Sequence, residues 1–194
     1  MMKNEVKIRI ACADDAENLL KIYSPYIEKT AITFEYTSPT EEEFRTRIEK
    51  TLSRFPYLVA EIGEKTVGYA YAGYYIPRTA CDHACEVSIY LSEDFRGAGV
   101  GAMLYGKLFE ILARQNITNI YASVAFCEHE DEYLTHASVR FHKREGFAEI
   151  GRFCKCGYKF GRWYDLLWFE KIIAPHEAPM DFIPFPLIEG DIQF

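Results

Sequence analysis

Arg96-Gly97-Ala98-Gly99-Val100-Gly101 joins an apolar stretch, Glu86-Val87-Ser88-Ile89-Tyr90-Leu91, to a segment, 102–115, in which Met103, Leu104, Leu108, Ile111 and Leu112 recur at helical spacing. Strand, loop and helix in that order suit a pyrophosphate. Glycines bring backbone N–H groups up to an anion without a Cβ in the way, and the helix start adds its positive end. Two other phosphate motifs fail here. A dinucleotide fingerprint needs G-x-G-x-x-G with an acidic residue about 20 positions on, and a P-loop ends in G-K-[ST], whereas Gly101 is followed by Ala102 and Met103. Taken alone, the six residues also fit a plain glycine-rich helix start.

Working outward, residues 6–11 alternate as a first strand, and Asp14 or Asp15 caps a helix that turns Leu19, Leu20, Ile22 and Tyr23 inward. Ser38-Pro39-Thr40-Glu41 reads as a capping box with Pro39 at the first helical position, opening a helix to about residue 54 with Phe44, Ile48 and Leu52 on one face. Residues 57–62 and 66–75 read as a hairpin across Gly63-Glu64. After the central strand, loop and helix come a strand at 119–125, a helix at 137–145 ended by Gly146, and strands at 148–153 and 163–171. The order β, α, α, β, β, β, α, β, α, β, β predicts an α/β (α+β) domain over 1–173, a mixed sheet with helices on both faces. Residues 174–194 carry Pro175, Pro179, Pro184 and Pro186 among Phe182, Phe185, Leu187 and Ile188. Such a tail is neither regular helix nor central strand, and is expected to lie as an extended arm on its own domain or on a neighbour.

The chain has 194 residues, 49% hydrophobic and 26% charged, ordinary for one globular core. Its net charge of −7, with dispersed Lys and Arg, argues against a nucleic-acid partner. Any anionic ligand must be held locally. No apolar run reaches the length of a membrane span, and Met1-Met2-Lys3-Asn4-Glu5-Val6 lacks the apolar core of a signal peptide, so a cytoplasmic protein is expected. The six cysteines are then expected as thiols. In Cys81-Asp82-His83-Ala84-Cys85, alternate residues of a strand would share a face, but no fourth ligand accompanies them, and no metal is expected.

These residues resemble the GNAT superfamily of N-acetyltransferases, and within it the phosphinothricin acetyltransferase branch, whose members acetylate small amino acids such as phosphinothricin, methionine sulfoximine and methionine sulfone. The matching blocks lie at 8–11, at 26–28 through Thr33-Phe34, at 57–61 (Tyr-Leu-Val-Ala-Glu) and at 68–73 (Gly-Tyr-Ala-Tyr-Ala-Gly). They continue at 86–90, in the Arg96 loop, at 138–142 (Ser-Val-Arg-Phe-His) with Gly146-Phe147, and at 157–163 (Gly-Tyr-Lys-Phe-Gly-Arg-Trp). The resemblance implies a mostly antiparallel central sheet, acetyl-CoA as cosubstrate, a small-molecule amine as acceptor, and a homodimer.

It also implies roles for residues. Glu86 opens an otherwise apolar strand, where partial burial would raise its pKa towards neutrality, and it matches the family's glutamate as general base; a solvated strand-end glutamate is the alternative. His142 stands where most of the superfamily has tyrosine and this branch has histidine, to protonate the departing thiolate or help deprotonate the amine, or else to pack. Ile89, Tyr90 and Leu91 are expected to line the cofactor where the central strand splays from the next, so that the pantetheine arm adds like a strand to exposed backbone. Arg96, Gly97, Ala98, Gly99, Val100, Gly101 and Ala102 would hold the pyrophosphate, and Thr135 and Ser138 would also touch CoA. On the acceptor side the resemblance places Val87, Tyr105, an aromatic wall at Phe34, and Arg78, whose planar fork suits a carboxylate or phosphinate.

Three features depart from the branch. Ile76 and Pro77 precede Arg78 where a basic or aromatic companion is usual, and Cys81 and His83 take commonly aromatic positions. Residues 127–136, Cys-Glu-His-Glu-Asp-Glu-Tyr-Leu-Thr-His, are longer than their counterpart, with Thr135 in place of an asparagine that contacts CoA. That acidic run reads either as a solvated loop or as a reshaped substrate mouth. It leaves a polyamine or protein N-terminal acetyltransferase as an alternative, and a non-catalytic acyl-CoA sensor as one of another class.

Overall fold

The architecture was read from a computed structural model that describes residues 5–194; the part of the signal-peptide reading that rests on residues 1–4 lies outside them. Eleven main elements follow in the expected order: β1 (Val6–Ile10), α1 (Ala16–Lys29), α2 (Glu41–Leu52), β2 (Tyr57–Ile62), β3 (Lys65–Tyr74), β4 (Ala84–Leu91), α3 (Val100–Arg114), β5 (Asn119–Phe126), α4 (Ala137–Arg144), β6 (Ala148–Lys159) and β7 (Arg162–Ile172). The strands form one sheet in the order β1-β2-β3-β4-β5-β7-β6, antiparallel except where β4 meets β5. Among the described residues, no helix is long and apolar enough to cross a membrane.

Each face of the sheet buries its own core. On one, α3 and α4 set Leu104, Leu108, Ile111 and Val139 against Val87 of β4 and Ile120 of β5. On the other, α1 and α2 set Leu19, Tyr23, Phe44 and Ile48 against Tyr57, Val59 and Tyr69. Strand alternation sends Val87 to the first face and Glu86, Ser88 and Tyr90 to the second.

Two caps differ from the sequence reading. The box that opens α2 is Thr40 with Glu43, not Ser38 with Glu41: Thr40 Oγ1 accepts from Glu43 N at 3.2 Å, and Glu43 Oε2 accepts from Thr40 N at 2.7 Å. The run holds two overlapping [ST]-x-x-E patterns. The one used sets Glu41, Glu42 and Glu43 in the first turn, at the positive end of the helix, and leaves Pro39 outside it. Ahead of α1, Asp15 makes no side-chain cap; its carboxylate takes the Arg9 guanidinium at 2.6 and 2.7 Å and Cys12 N at 2.8 Å.

Strand β6 runs six residues beyond the expected end at 153, through bulges between Glu149 and Gly151 and between Phe153 and Gly157. Its first nine residues are all exposed, so no apolar alternation marks them. Cys81 closes a 3-10 turn, 79–81, ahead of β4, rather than sharing a strand face with Cys85. His83 Nδ1 bonds Asn116 O at 2.9 Å, and Cys85 lies in the core. All six cysteines are free.

Of the two placements open to the tail, the structure has the first: it packs on its own domain. Phe185 and Ile188 enter the core beneath α3, Phe185 N donates to Arg54 O, and Ile183 N donates to Gln115 O. Gln115 Nε2 bonds Ile183 O at 2.8 Å, and Arg54 lies over the Phe182 ring at 4.0 Å.

Candidate active site

Strands β4 and β5 pair at only three positions, Ala84 with Asn119, Cys85 with Ile120 and Glu86 with Tyr121. Beyond Glu86 they part. Between them opens a cavity of about 420 Å³, with β4 residues 87–91 on one wall, β5 residues 123–125 on the other, and α4 and Tyr105 closing the α3 side.

The register with β3 shows which peptide groups face this gap. Tyr26 Oη donates to Leu91 O at 2.6 Å and accepts from Leu91 N at 3.1 Å, so the Leu91 peptide groups point away from β3. Antiparallel alternation turns those of Ile89 the same way, into the space that β5 has left. Ile89 thus offers the strand edge expected of it. Leu91 does not, because the Tyr26 hydroxyl already holds both of its groups. Tyr90 lines the cavity, with its ring packed edge-on to Tyr23 and Tyr26.

At the outer end, Arg96 lines the cavity and lies over the Tyr26 ring at 4.9 Å. Gly97 and Gly99 have φ of +78° and +87°, a region that side chains with a Cβ rarely adopt. Gly99 is the N-cap of α3 and makes no side-chain cap, so the first-turn N–H groups of Val100, Gly101 and Ala102 are left for an anion. Val100 sends its side chain into the core, and Gly101 lies so close under Phe141 that a Cβ there would stand 3.0 Å from the ring. Gly97 lines the cavity, whereas residues 98–102 stand beside it and would act through backbone alone.

Glu86 stands at the point where the strands part. It is outside the cavity lining and reaches it through Ser123, whose Oγ donates to Glu86 Oε1. Burial raises the Glu86 pKa, and the bonds from Ser123 pull it down less. On the other face, His142 is buried and lines the cavity. Its Nδ1 lies 2.8 Å from Ser138 O and must donate to that carbonyl, so in the neutral ring Nε2 accepts from the Tyr105 hydroxyl at 3.1 Å. Burial lowers the His142 pKa, which favours that neutral ring, and holds the Tyr105 phenol well above its ordinary value.

Thr135 and Ser138 line the cavity as expected, and so does Val87. Two residues expected on the acceptor side do not. Arg78 is exposed on the β3–β4 loop, and Phe34 packs on Gly157 and on a small core with Ala125, Leu134 and Tyr164, backing the wall rather than forming it. Sequence reading missed Ser123 and Tyr26, which meet the site only where β5 and α1 come up against β4, and Arg140 and Arg144, which line it together with His142. Their i, i+4 spacing on a short basic helix was the available signal. The acidic 127–136 segment is tied down: Asp131 takes Arg162, Tyr164 and the N–H groups of Tyr133 and Leu134, Glu132 takes Arg162, and Glu130 takes Arg140 and His136 N.

Residues 8–168 match the family model described as an acetyltransferase (GNAT) domain. The chain belongs to the GNAT acetyltransferase family. It is 31% identical to a phosphinothricin N-acetyltransferase of Streptomyces coelicolor, over 86% of this chain and 96% of that one. It is likewise 31% identical to an L-methionine sulfoximine/L-methionine sulfone acetyltransferase of Pseudomonas aeruginosa, over 87% and 95%. A crystal structure of a phosphinothricin acetyltransferase from Sinorhizobium meliloti in complex with AcCoA superposes with a TM-score of 0.83 at 28% identity, covering 93% of this chain and 96% of that one.

GNAT enzymes use acetyl-CoA, and this cleft has the parts to hold it. An open strand edge at Ile89 suits an amide-bearing arm, uncapped α3 amides suit a pyrophosphate, and Arg96, Arg140 and Arg144 bring guanidinium groups to the cleft in a chain of net charge −7, Arg140 being shared with Glu130. Gly99→Val and Gly101→Val are each expected to weaken acetyl-CoA binding at least ~10-fold, with a smaller effect on the amine. The first forces a β-branched residue to positive φ, and the second drives Phe141 into the cleft. Titration calorimetry checks this; equal loss of both ligands would mean that the loop is only a helix start.

Proposed function

We propose that this N-acetyltransferase moves the acetyl group of acetyl-CoA to the amino group of a small polar or acidic amino acid or analogue, of the phosphinothricin or methionine sulfoximine and sulfone type. One observation carries the reading: Glu86 stands at the point where β4 and β5 part, so a carboxylate of raised pKa reaches, through Ser123, the inner end of a cleft whose outer end suits a pyrophosphate. Glu86, held by Ser123, takes the proton from the amine through water. The free N–H on the β4 edge stabilises charge growing on the carbonyl oxygen. The Tyr105 hydroxyl, which rests as a donor to His142 Nε2, turns to the departing thiolate and gives it the proton, and the phenolate regains one from water, so His142 assists by holding Tyr105 in place.

The polyamine alternative rested on free negative charge near the mouth. Glu130, Asp131 and Glu132 are instead engaged by Arg140 and Arg162, which favours the amino acid reading. For Arg78, the proposed carboxylate grip now requires the β3–β4 loop to reach the acceptor from outside the cavity. A homodimer remains part of the reading on a different ground from the tail: Ile150, Phe153, Tyr158, Trp163 and Ile172 are exposed apolar residues on β6 and β7, at one edge of the sheet. A cytoplasmic location fits six free thiols.

The test is selectivity. We expect kcat/KM for methionine sulfone or phosphinothricin to exceed that for spermidine and for an N-terminal alanine peptide by ~10²-fold. The reverse order would replace the amino acid reading with one of its alternatives.

A further inference from the structure

Behind the β4 wall of the cleft, α2 roofs a second cavity of about 200 Å³ over β2 and β3. Tyr57, Tyr69 and Tyr71 wall it with near-parallel rings, 4.8 Å between Tyr57 and Tyr71 and 5.7 Å between Tyr57 and Tyr69, while Arg47 and Lys50 stand at its rim. Tyr57 is 2% exposed and Tyr69 1%, yet neither hydroxyl has a hydrogen-bond partner among the described residues. Nor is either among the sealed, unpartnered polar atoms, which are Ser38 Oγ, Arg54 Nε, Gln115 Oε1 and Trp168 Nε1. The space that these hydroxyls reach is therefore the cavity they line.

We propose that this cavity is a binding site for a small carboxylate. Two uncharged, unpartnered O–H donors belong to its lining, stacked rings suit a short apolar stem, and Lys50, which forms no ion pair among the described residues, supplies the countercharge; Arg47 is already paired with Glu35 at 2.9 Å. Burial keeps both phenols protonated well above the ordinary tyrosine range, so they remain donors at neutral pH. Tyr71 lies opposite Ser88, which lines the main cleft, so the two cavities share a wall. The carboxylate has two possible sources, the acceptor's own acid end or a free metabolite.

The probe is sodium propionate, titrated calorimetrically against propionamide with acetyl-CoA saturating the main cleft. Propionate is expected to bind at least ~10-fold tighter than the amide, and Tyr57→Phe, Tyr69→Phe and Lys50→Met each to weaken it ~10-fold while acetyl-CoA affinity is unchanged. Absent binding, equal affinity for the amide, or affinity unmoved in both tyrosine variants overturns the site and leaves water alone in the cavity. Should the tyrosine variants not fold, exposed Lys50→Met decides in their place. The source follows from kinetics. If Tyr57→Phe raises KM for an amino acid but not for its carboxamide, the acceptor's carboxylate fills the cavity; if both KM values hold while propionate still binds, the ligand is a free carboxylate. The binding arm needs no turnover, so its failure leaves the acetyltransferase reading standing.

Discussion

Glu86→Gln is expected to bind acetyl-CoA as the wild type does and to turn over ~10²-fold or more slowly, because an amide cannot take the amine proton in the chemical step. Its shape still fits the Ser123 contact, so the loss reports the proton and not the packing. Steady-state thiol release gives kcat, and calorimetry gives the acetyl-CoA affinity; turnover within a few-fold of wild type with an unaltered pH profile would remove Glu86 from the mechanism. The same variant has a stability signature. Burial raises the Glu86 pKa, so the folded state holds the proton more tightly than the unfolded chain. The penalty for the buried carboxylate is absent below the ordinary glutamate range and grows as the pH rises through the native pKa. Glu86→Gln should therefore melt higher than wild type at pH 8, with the gap closing towards pH 4.

Truncation after Ile173 is expected to cost about 4 kcal/mol or more and to lower the melting temperature by roughly 10 °C. Phe185 is fully buried beneath α3, and loss of one such aromatic alone costs about 3–5 kcal/mol. The cut also frees Gln115, which holds Ile183 through both its backbone carbonyl and its side-chain amide. Against a total stability of about 5–15 kcal/mol, that is a large fraction. Phe185→Ala should reproduce most of the effect in thermal melts. A truncated protein as stable as the full chain would mean that the tail only rests on the surface.

Local signals carried most of the element order. The glycine loop, the helical spacing after it and the hairpin across Gly63-Glu64 each depend on neighbours a few residues apart, and each appears where the sequence places it. What local reading missed was set by distant partners. Which [ST]-x-x-E box opens α2, how far β6 extends without an apolar pattern, and where the proline-broken tail lies all depend on surfaces made elsewhere in the chain. The candidate site divides in the same way. Glu86, His142 and the Arg96 loop were legible as residues, but the parting of β4 from β5, the Tyr26 hold on Leu91 and the Tyr105–His142 pair arise only when segments 35 to 65 residues apart meet. Arg78 and Phe34 were drawn from resemblance, and their surroundings here, an exposed loop and a small core behind the cleft, are properties of this chain's own packing.

The most direct test of an acetyl-transferring cleft is thiol release by the purified protein given acetyl-CoA and L-methionine sulfone. The account predicts release that requires both compounds, yields the N-acetylated sulfone in equal amount, and falls ~10²-fold in Glu86→Gln. Tight acetyl-CoA binding with no thiol release on any amino acid, sulfoximine, polyamine or peptide would contradict it and make the protein an acyl-CoA sensor.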